Sequence, residues 1–229
     1  MIGVAIITFQ SPEDAAECLK SVLAHTLTTG PIIVWDNSQD FKTGTLLLSE
    51  LGSVEYVRSP ANVGCCISRN HIWERFLALG VTHGVVLDQD VRVTADGWLE
   101  DMAAVFEKHP DTGIVSWDCI NQQMAHHVPD ATGAVPEMPG ACCMYSAACV
   151  RAVGGWESRV LYHRFEDSAF CFEAAAKGFK VRLVHGVQKI AHPAPGGGTG
   201  RNPRNETIKE ASNRLYAEMS AQRGWPSVG

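Results

Sequence analysis

With 229 residues the chain is long enough for one large α/β domain or two small ones. A formal charge of -6 excludes a protein that coats nucleic acid or acidic membrane by bulk electrostatics, although a local basic patch and a polymeric partner stay open. The 8 cysteines include two adjacent pairs, Cys65-Cys66 and Cys142-Cys143, and none has the CxxC spacing of a zinc or thioredoxin-like site, so they read as reduced, buried, small apolar side chains.

In chain order, Ile2 to Ile7 is a short β-branched apolar run that suits a strand buried on both faces of a parallel sheet. A helix follows: Ser11 can cap, Pro12 fits the first helical position, Asp14 completes a capping-box-like pattern, and Ala15, Cys18, Leu19, Val22 and Leu23 recur at helical spacing. Pro31 to Trp35 reads as a second strand ending at Asp36-Asn37, Val54 to Val57 as a third, and Gly84 to Leu87 as a fourth ending at Asp88-Gln89-Asp90. Helical patterns separate several of these strands. The alternation implies an α/β fold with a mostly parallel central sheet flanked by helices, whose ligands gather beyond the carboxyl ends of the strands, where Thr8, Asp36 and Asp88 stand.

The second half is less regular. A helix is expected around Asp96 to Phe106, a strand near Gly113 to Ser116, a polar loop through His126-His127, and a further apolar segment from Gly140 to Tyr145. Glu166 to Lys177 looks helical with Gly178 as its stop, Phe179 to Val184 reads as a strand leading to His192, and Glu206 to Arg223 as a last helix. Between them, Gly196-Gly197-Gly198-Thr199-Gly200 reads as a mobile loop. No apolar run reaches the length of a membrane span, and the first residues lack the basic segment and cleavage site of a signal peptide, so cytoplasmic residence is expected.

Asp88-Gln89-Asp90, directly after an apolar strand, puts two carboxylates where they can hold a hard divalent cation against phosphate oxygens; taken alone, the same three residues also describe a polar turn. Their setting gives them meaning. VAIITFQ, VWDNSQD, NVGCCISRN, LDQD, GGWES, FEDSAFCFEAAAKGF and the final AHP occur in the order, and over most of the length, in which family 2 glycosyltransferases carry such segments, and the chain resembles that family.

The resemblance implies a GT-A (Rossmann-like) fold in one domain over 1–229, with a nucleotide-sugar-binding half (1–92), a smaller acceptor and catalytic half (93–195), and a mobile loop with a C-terminal helix (196–229). It implies that Thr8, Phe9, Asp36 and Asn37 lie against base and ribose, with Asp36 able to accept from a uracil-like imide, which favours a UDP-sugar. Asn62, Gly64 and Arg69 match the family's N-x-G loop and following arginine, whose guanidinium could bind diphosphate oxygens, while Asp88, Gln89 and Asp90 would hold diphosphate and Mn²⁺ or Mg²⁺ with His192 completing the metal site. Of Glu166-Asp167, Asp167 would be the base that takes the acceptor hydroxyl proton, with inversion at the sugar carbon; acidic residues at a helix start also simply suit the helix dipole. Trp156, after Gly154-Gly155, could pack on an acceptor or in the core, and Arg201, Arg204 and Arg214 could close on diphosphate or an anionic acceptor.

Three departures bear on this reading: Gln10 replaces the family's usual asparagine, the DNSQD turn is short, and Glu173 stands where relatives often carry arginine. A sugar nucleotidyltransferase would share the sheet and the carboxylate pair, but Phe9-Gln10-Ser11-Pro12-Glu13-Asp14 is acidic and lacks the glycine-rich loop that cradles a triphosphate. A non-catalytic nucleotide-sugar or carbohydrate-binding module is the other alternative, and the presence of both Asp90 and Asp167 weighs against it. Without a membrane helix or amphipathic anchor, the acceptors expected are a soluble glycan or, as for compact bacteriophage transferases of this general kind, a hydroxymethylpyrimidine in DNA, which would have to be flipped out of the duplex.

Overall fold

The computed structural model describes residues 1–27, 30–47, 52, 54–117, 129–159, 165–192 and 204–225, with the backbone alone for 204–209. Its strands are β1 (Ile2–Thr8), β2 (Ile32–Asp36), β3 (Glu55–Arg58), β4 (His83–Asp88), β5 (Arg92–Val93), β6 (Thr112–Trp117), β7 (Ala134–Val135), β8 (Cys142–Ser146), β9 (Lys180–Val184) and β10 (Ile190–Ala191). Its helices are α1 (Pro12–His25), α2 (Lys42–Leu47), α3 (Gly64–Ala78), α4 (Trp98–Lys108), α5 (Ala147–Val153), α6 (Glu166–Ala176) and α7 (Arg204–Arg223).

The large sheet has the order β3-β2-β1-β4-β8-β6-β9-β7. Strands β3, β2, β1 and β4 run parallel, as do β6 and β9. Between the two groups lies β8, antiparallel to both β4 and β6. The strands read as continuous apolar runs because both faces are covered. Val4, Ile6, Val34, Val85, Leu87, Cys142 and Met144 point into a core shared with Leu19 and Val22 of α1 and with Trp98 and Met102 of α4. Their neighbours Ala5, Ile33, Val86, Cys143 and Tyr145 point the other way, into a core with Ile72, Trp73 and Phe76 of α3 and Phe170 of α6. The adjacent cysteines Cys142 and Cys143 thus serve opposite cores as small apolar side chains, and Cys18, Cys66, Cys149 and Cys171 are likewise buried.

Glycine appears where α3 comes closest to the sheet. Gly3 and Gly84 are register partners, and a Cβ on either would stand 2.7 Å from the Phe76 ring. That close approach fixes the C-terminal part of α3 against the amino ends of β1 and β4, with Arg69 seven residues earlier along the same helix.

The second, two-stranded ribbon pairs β5 with β10, Ala191 opposite Arg92 and Ile190 opposite Val93. It joins the segment after Asp88-Gln89-Asp90 to the one before His192. The loop expectations at His126-His127 and at 196–200 fall outside the described residues. Among the described residues no helix is long and apolar enough to cross a membrane.

Candidate active site

Four segments converge at the carboxyl edge of β1 and β4. The first is a clasp between the two strand ends: Gln89 Oε1 accepts from Thr8 Oγ1 at 2.6 Å and from the Phe9 amide at 2.9 Å, while its Nε2 donates to the Phe9 carbonyl at 3.2 Å. The middle residue of the acidic triplet is therefore occupied with backbone and hydroxyl, and Asp88 and Asp90 on either side of it are half-buried. Arg92 fastens the turn from outside, donating to the Gln89 carbonyl at 3.1 Å and to Asp14 at 3.0 Å. That arginine carries no sequence signal of its own.

The second segment follows β2. Asp36 is fully buried, its Oδ1 accepting from the Ser38 amide at 2.8 Å and its Oδ2 from the Tyr56 hydroxyl at 2.7 Å. Asn37, also buried, donates to Ser68 Oγ at 2.9 Å. Thr8, Asp36 and Asn37 thus lie buried beneath the strand ends, where the carboxylate and the amide satisfy the turn's own donors. Nearby, Phe9, Asn62, Asp88, Gln89 and Asp90 are half-buried and Gln10 is exposed.

The third segment is the start of α3. Asn62 Oδ1 accepts from the Gly64 amide at 3.0 Å, and Gly64 takes a positive φ of 76°, which explains the N-x-G spacing as a turn into the helix. One helical turn on, the Arg69 side chain is buried. Its Nη1 lies 3.2 Å from Glu166 Oε1 and 3.2 Å from Asp167 Oδ1, and Nη2 donates to the Gly140 carbonyl at 3.4 Å. Arg69 is the counter-charge of the Glu166-Asp167 pair. A guanidinium drawn under a sheet edge pairs with the carboxylates buried beside it, since leaving either charge bare costs about 3–5 kcal/mol.

The fourth segment is the first turn of α6. Phe165 precedes it with φ of 65°, a left-handed conformation unusual for a phenylalanine, and its ring packs against Tyr216 at 4.6 Å. Asp167 is the open member of the acidic pair, its side chain 20% exposed against 8% for Glu166. Its Oδ2 accepts from the Gly140 amide at 2.8 Å. Burial pushes the Asp167 carboxyl up to about 7, against the pull of Arg69 and with help from the negative charges of Glu166 and Asp88. Gly140 was read from the sequence only as the start of an apolar segment, and it is the residue that reasoning missed.

On the other flank, His192 Nε2 lies 3.4 Å from Asp90 Oδ1. Burial would raise the Asp90 carboxyl, but the His192 hydrogen bond and charge outweigh it and the net shift is downward; His192 is raised by the same bond. Burial raises Asp88. Two carboxylates and an imidazole are suitable donors for Mn²⁺. Among the described residues no three such groups are already drawn together around one point. The donor set fits a cation whose remaining ligands come from phosphate oxygens and water.

Trp156 is buried in the core, where it stacks on Phe170 at 4.1 Å and meets Tyr145 edge-on at 5.0 Å. Asn70 brackets its backbone, accepting from the amide at 2.7 Å and donating to the carbonyl at 2.9 Å, so the glycine-glycine-aromatic turn pins α3 to the segment before α6. Glu173, the departure from the family pattern, accepts from Arg223 Nη1 at 2.6 Å and so ties α6 to α7. Arg201 and the Arg204 side chain lie outside the described residues, and Arg214 is exposed.

The fold is shared with solved glycosyltransferases of the GT-A type. A mannosyltransferase from Pyrobaculum calidifontis, in complex with GDP-Man and Mn²⁺, superposes with a TM-score of 0.73 at 16% identity, over 95% of this chain and 64% of that one. TarS from S. aureus in complex with UDP-GlcNAc gives 0.66 at 15% identity, over 96% and 66%. GalNAc-T7 with UDP, GalNAc and Mn²⁺ gives 0.66 at 15%, over 99% and 51%. This chain thus spans less than two thirds of the length of each of these chains. No curated protein matches it. The model of the family described as "Glycosyl transferase family 2" matches residues 3–129, which takes in the acidic triplet and Arg69 but stops short of Gly140 and the Glu166-Asp167 pair. With more than half of its length matched, the chain belongs to glycosyl transferase family 2.

Proposed function

We propose that the protein transfers a sugar from a nucleotide-diphosphate sugar to an acceptor hydroxyl with inversion at the anomeric carbon. The observation that carries the reading is the partly exposed Asp167 carboxylate, held by Arg69 and the Gly140 amide on the same sheet edge as Asp88 and Asp90. Asp167 takes the acceptor hydroxyl proton as that oxygen forms its bond to the anomeric carbon, and the bond from that carbon to the diphosphate oxygen breaks on the opposite face. The carboxyl's elevated pKa suits the task, because a base must hold the proton it collects.

Asp88, Asp90 and His192 are the residues proposed to hold Mn²⁺ or Mg²⁺, which when bound would neutralise charge on the diphosphate. The nucleotide is proposed to lie over Phe9, Gln10 and Asn62, in the half formed by 1–92, with the acceptor in the half formed by 93–195. A UDP-sugar is the donor to test first, since two of the similar structures were solved with UDP ligands, and GDP-mannose is its comparator, from the third. The acceptor proposed is a soluble glycan or a hydroxymethylated DNA base, and the location is the cytoplasm.

Calorimetric titration of a panel of nucleotide-diphosphate sugars, with Mn²⁺ and again with chelator, tests the reading. One donor is expected to bind in a metal-dependent way, and no binding by any donor would overturn it. Asp90→Ala is expected to reduce that affinity by about 10-fold or more, the low end for loss of a ligand-orienting group at a metal site, and to leave little difference between metal and chelator. Transfer assays against glycans and hydroxymethylpyrimidine DNA then separate the two acceptors.

A further inference from the structure

The Gly140 peptide is used on both sides. Its amide donates to Asp167 Oδ2 at 2.8 Å, and its carbonyl accepts from Arg69 Nη2 at 3.4 Å. Arg69 Nη1 pairs with Asp167 Oδ1 at 3.2 Å and closes a ring of three members, Gly140, Arg69 and the Asp167 carboxylate. Guanidinium donors sit in a rigid plane, so this ring leaves Asp167 little freedom to rotate. Glu166 has its own donors in the same Nη1 at 3.2 Å and the Cys65 thiol at 3.2 Å. With its side chain only 2% exposed and its fork turned toward the acidic pair, Arg69 is poorly placed to reach a ligand in the cleft.

We propose that Arg69 is a positioning residue for the base: it orients the Asp167 carboxylate toward the acceptor and supplies the one buried positive charge that lets it ionise. The inference rests on the reading of Asp167 as the base. The groups facing Asp167 are Arg69 from α3, Glu166 from its own helix, Asp88 from β4, Cys143 and Tyr145 from β8, Cys171 from α6 and the Gly140 amide. Arg69 is the single cation among them. Without it, the negative charges of Glu166 and Asp88 hold the proton on Asp167 more tightly, and the acid limb of the rate profile moves to higher pH.

The test compares Arg69→Met and Arg69→Lys with the wild type in three readouts: donor affinity by calorimetry, transfer rate against pH, and the infrared band of the protonated carboxyl against pH without turnover. Arg69→Met is expected to move both the acid limb and the infrared titration up by about one pH unit or more, which is about a 10-fold loss of the ionised base at the original midpoint. Arg69→Lys, with the charge but not the fork, is expected to keep the limb in place and lower the transfer rate. Donor affinity should be unchanged in both. A fall in donor affinity with an unmoved limb would overturn the inference in favour of a diphosphate contact, and wild-type transfer by Arg69→Lys would overturn the orienting role. If Arg69→Met does not fold, Arg69→Lys alone decides by its ratio of transfer rate to donor affinity. Asp167→Asn is the control: substantial transfer by that variant would bring down the base reading itself, and the loss of its infrared band identifies the titrating group.

Discussion

Asp167→Asn is expected to bind donor as the wild type does and to transfer sugar about 10³-fold more slowly, the middle of the range for removal of a positioned base. Asparagine keeps the shape and can still accept from the Gly140 amide, but it cannot take a proton. The wild-type rate should rise with pH through an acid limb near 7, since the carboxyl pushed up to about 7 works only when ionised. The sign for stability runs the other way. The folded pKa lies above the ordinary value of 3.8, so the folded protein binds more protons than the unfolded one between those values, and stability falls as pH rises through that window. At pH 8 the asparagine variant should therefore melt no lower than the wild type. Fluorescence melts and single-turnover rates across pH check both statements, and a variant that melts lower and transfers normally would contradict them.

Gly140→Ala is expected to lower transfer by about 10²-fold, the size of effect that a roughly 1 Å displacement of a reacting group produces. A Cβ at this position would collide with Asp167 Oδ1 and Arg69 Nη2 and lie 2.6 Å from the Asp167 carboxyl carbon. Arg69 is also held by Glu166, so the methyl group must push the proposed base out of line. Donor affinity should hold, because the nearest groups on the donor side, Asp88 and Asp90, are not among the atoms the methyl would meet. Measuring donor binding and transfer rate separately on the purified variant checks this, and an unchanged rate would mean that the Gly140 amide does not set the base.

Much of the frame was legible in the chain because the sheet is covered on both faces. Ile2–Thr8, Ile32–Asp36, His83–Asp88 and Thr112–Trp117 announce themselves as apolar runs, and α1 as a capped amphipathic helix. The direction of β8 was not legible, since Cys142–Ser146 is as apolar as its parallel neighbours and a strand carries no mark of the way it runs. Nor was the ribbon of β5 and β10, two residues on each side, long enough to show a pattern. In the site, the acidic triplet and the Glu166-Asp167 pair could be found from their local setting. The partner of Arg69 could not, because it lies 97 residues away and only the fold brings the two together. The setting of Trp156 was left open for the same reason: a glycine-glycine-tryptophan turn looks alike whether the ring meets a ligand or the Tyr145 and Phe170 rings.

The reversed strand has a mechanical consequence. Because β8 runs against β4, the segment leading into it lies at the edge where β4 ends, and the Asp88 amide donates to the Ala141 carbonyl at 2.9 Å, one residue from the amide that holds Asp167. The spacing between the acidic triplet and the base is thus set by a single peptide step anchored in a hydrogen-bonded ladder, much as the jaws of a fixed gauge are set by its frame. Such a gauge does not adapt to its workpiece. On the function proposed above, acceptors would be sorted by whether their hydroxyl reaches that gap, and a change of acceptor preference should be sought away from Gly140 and Ala141.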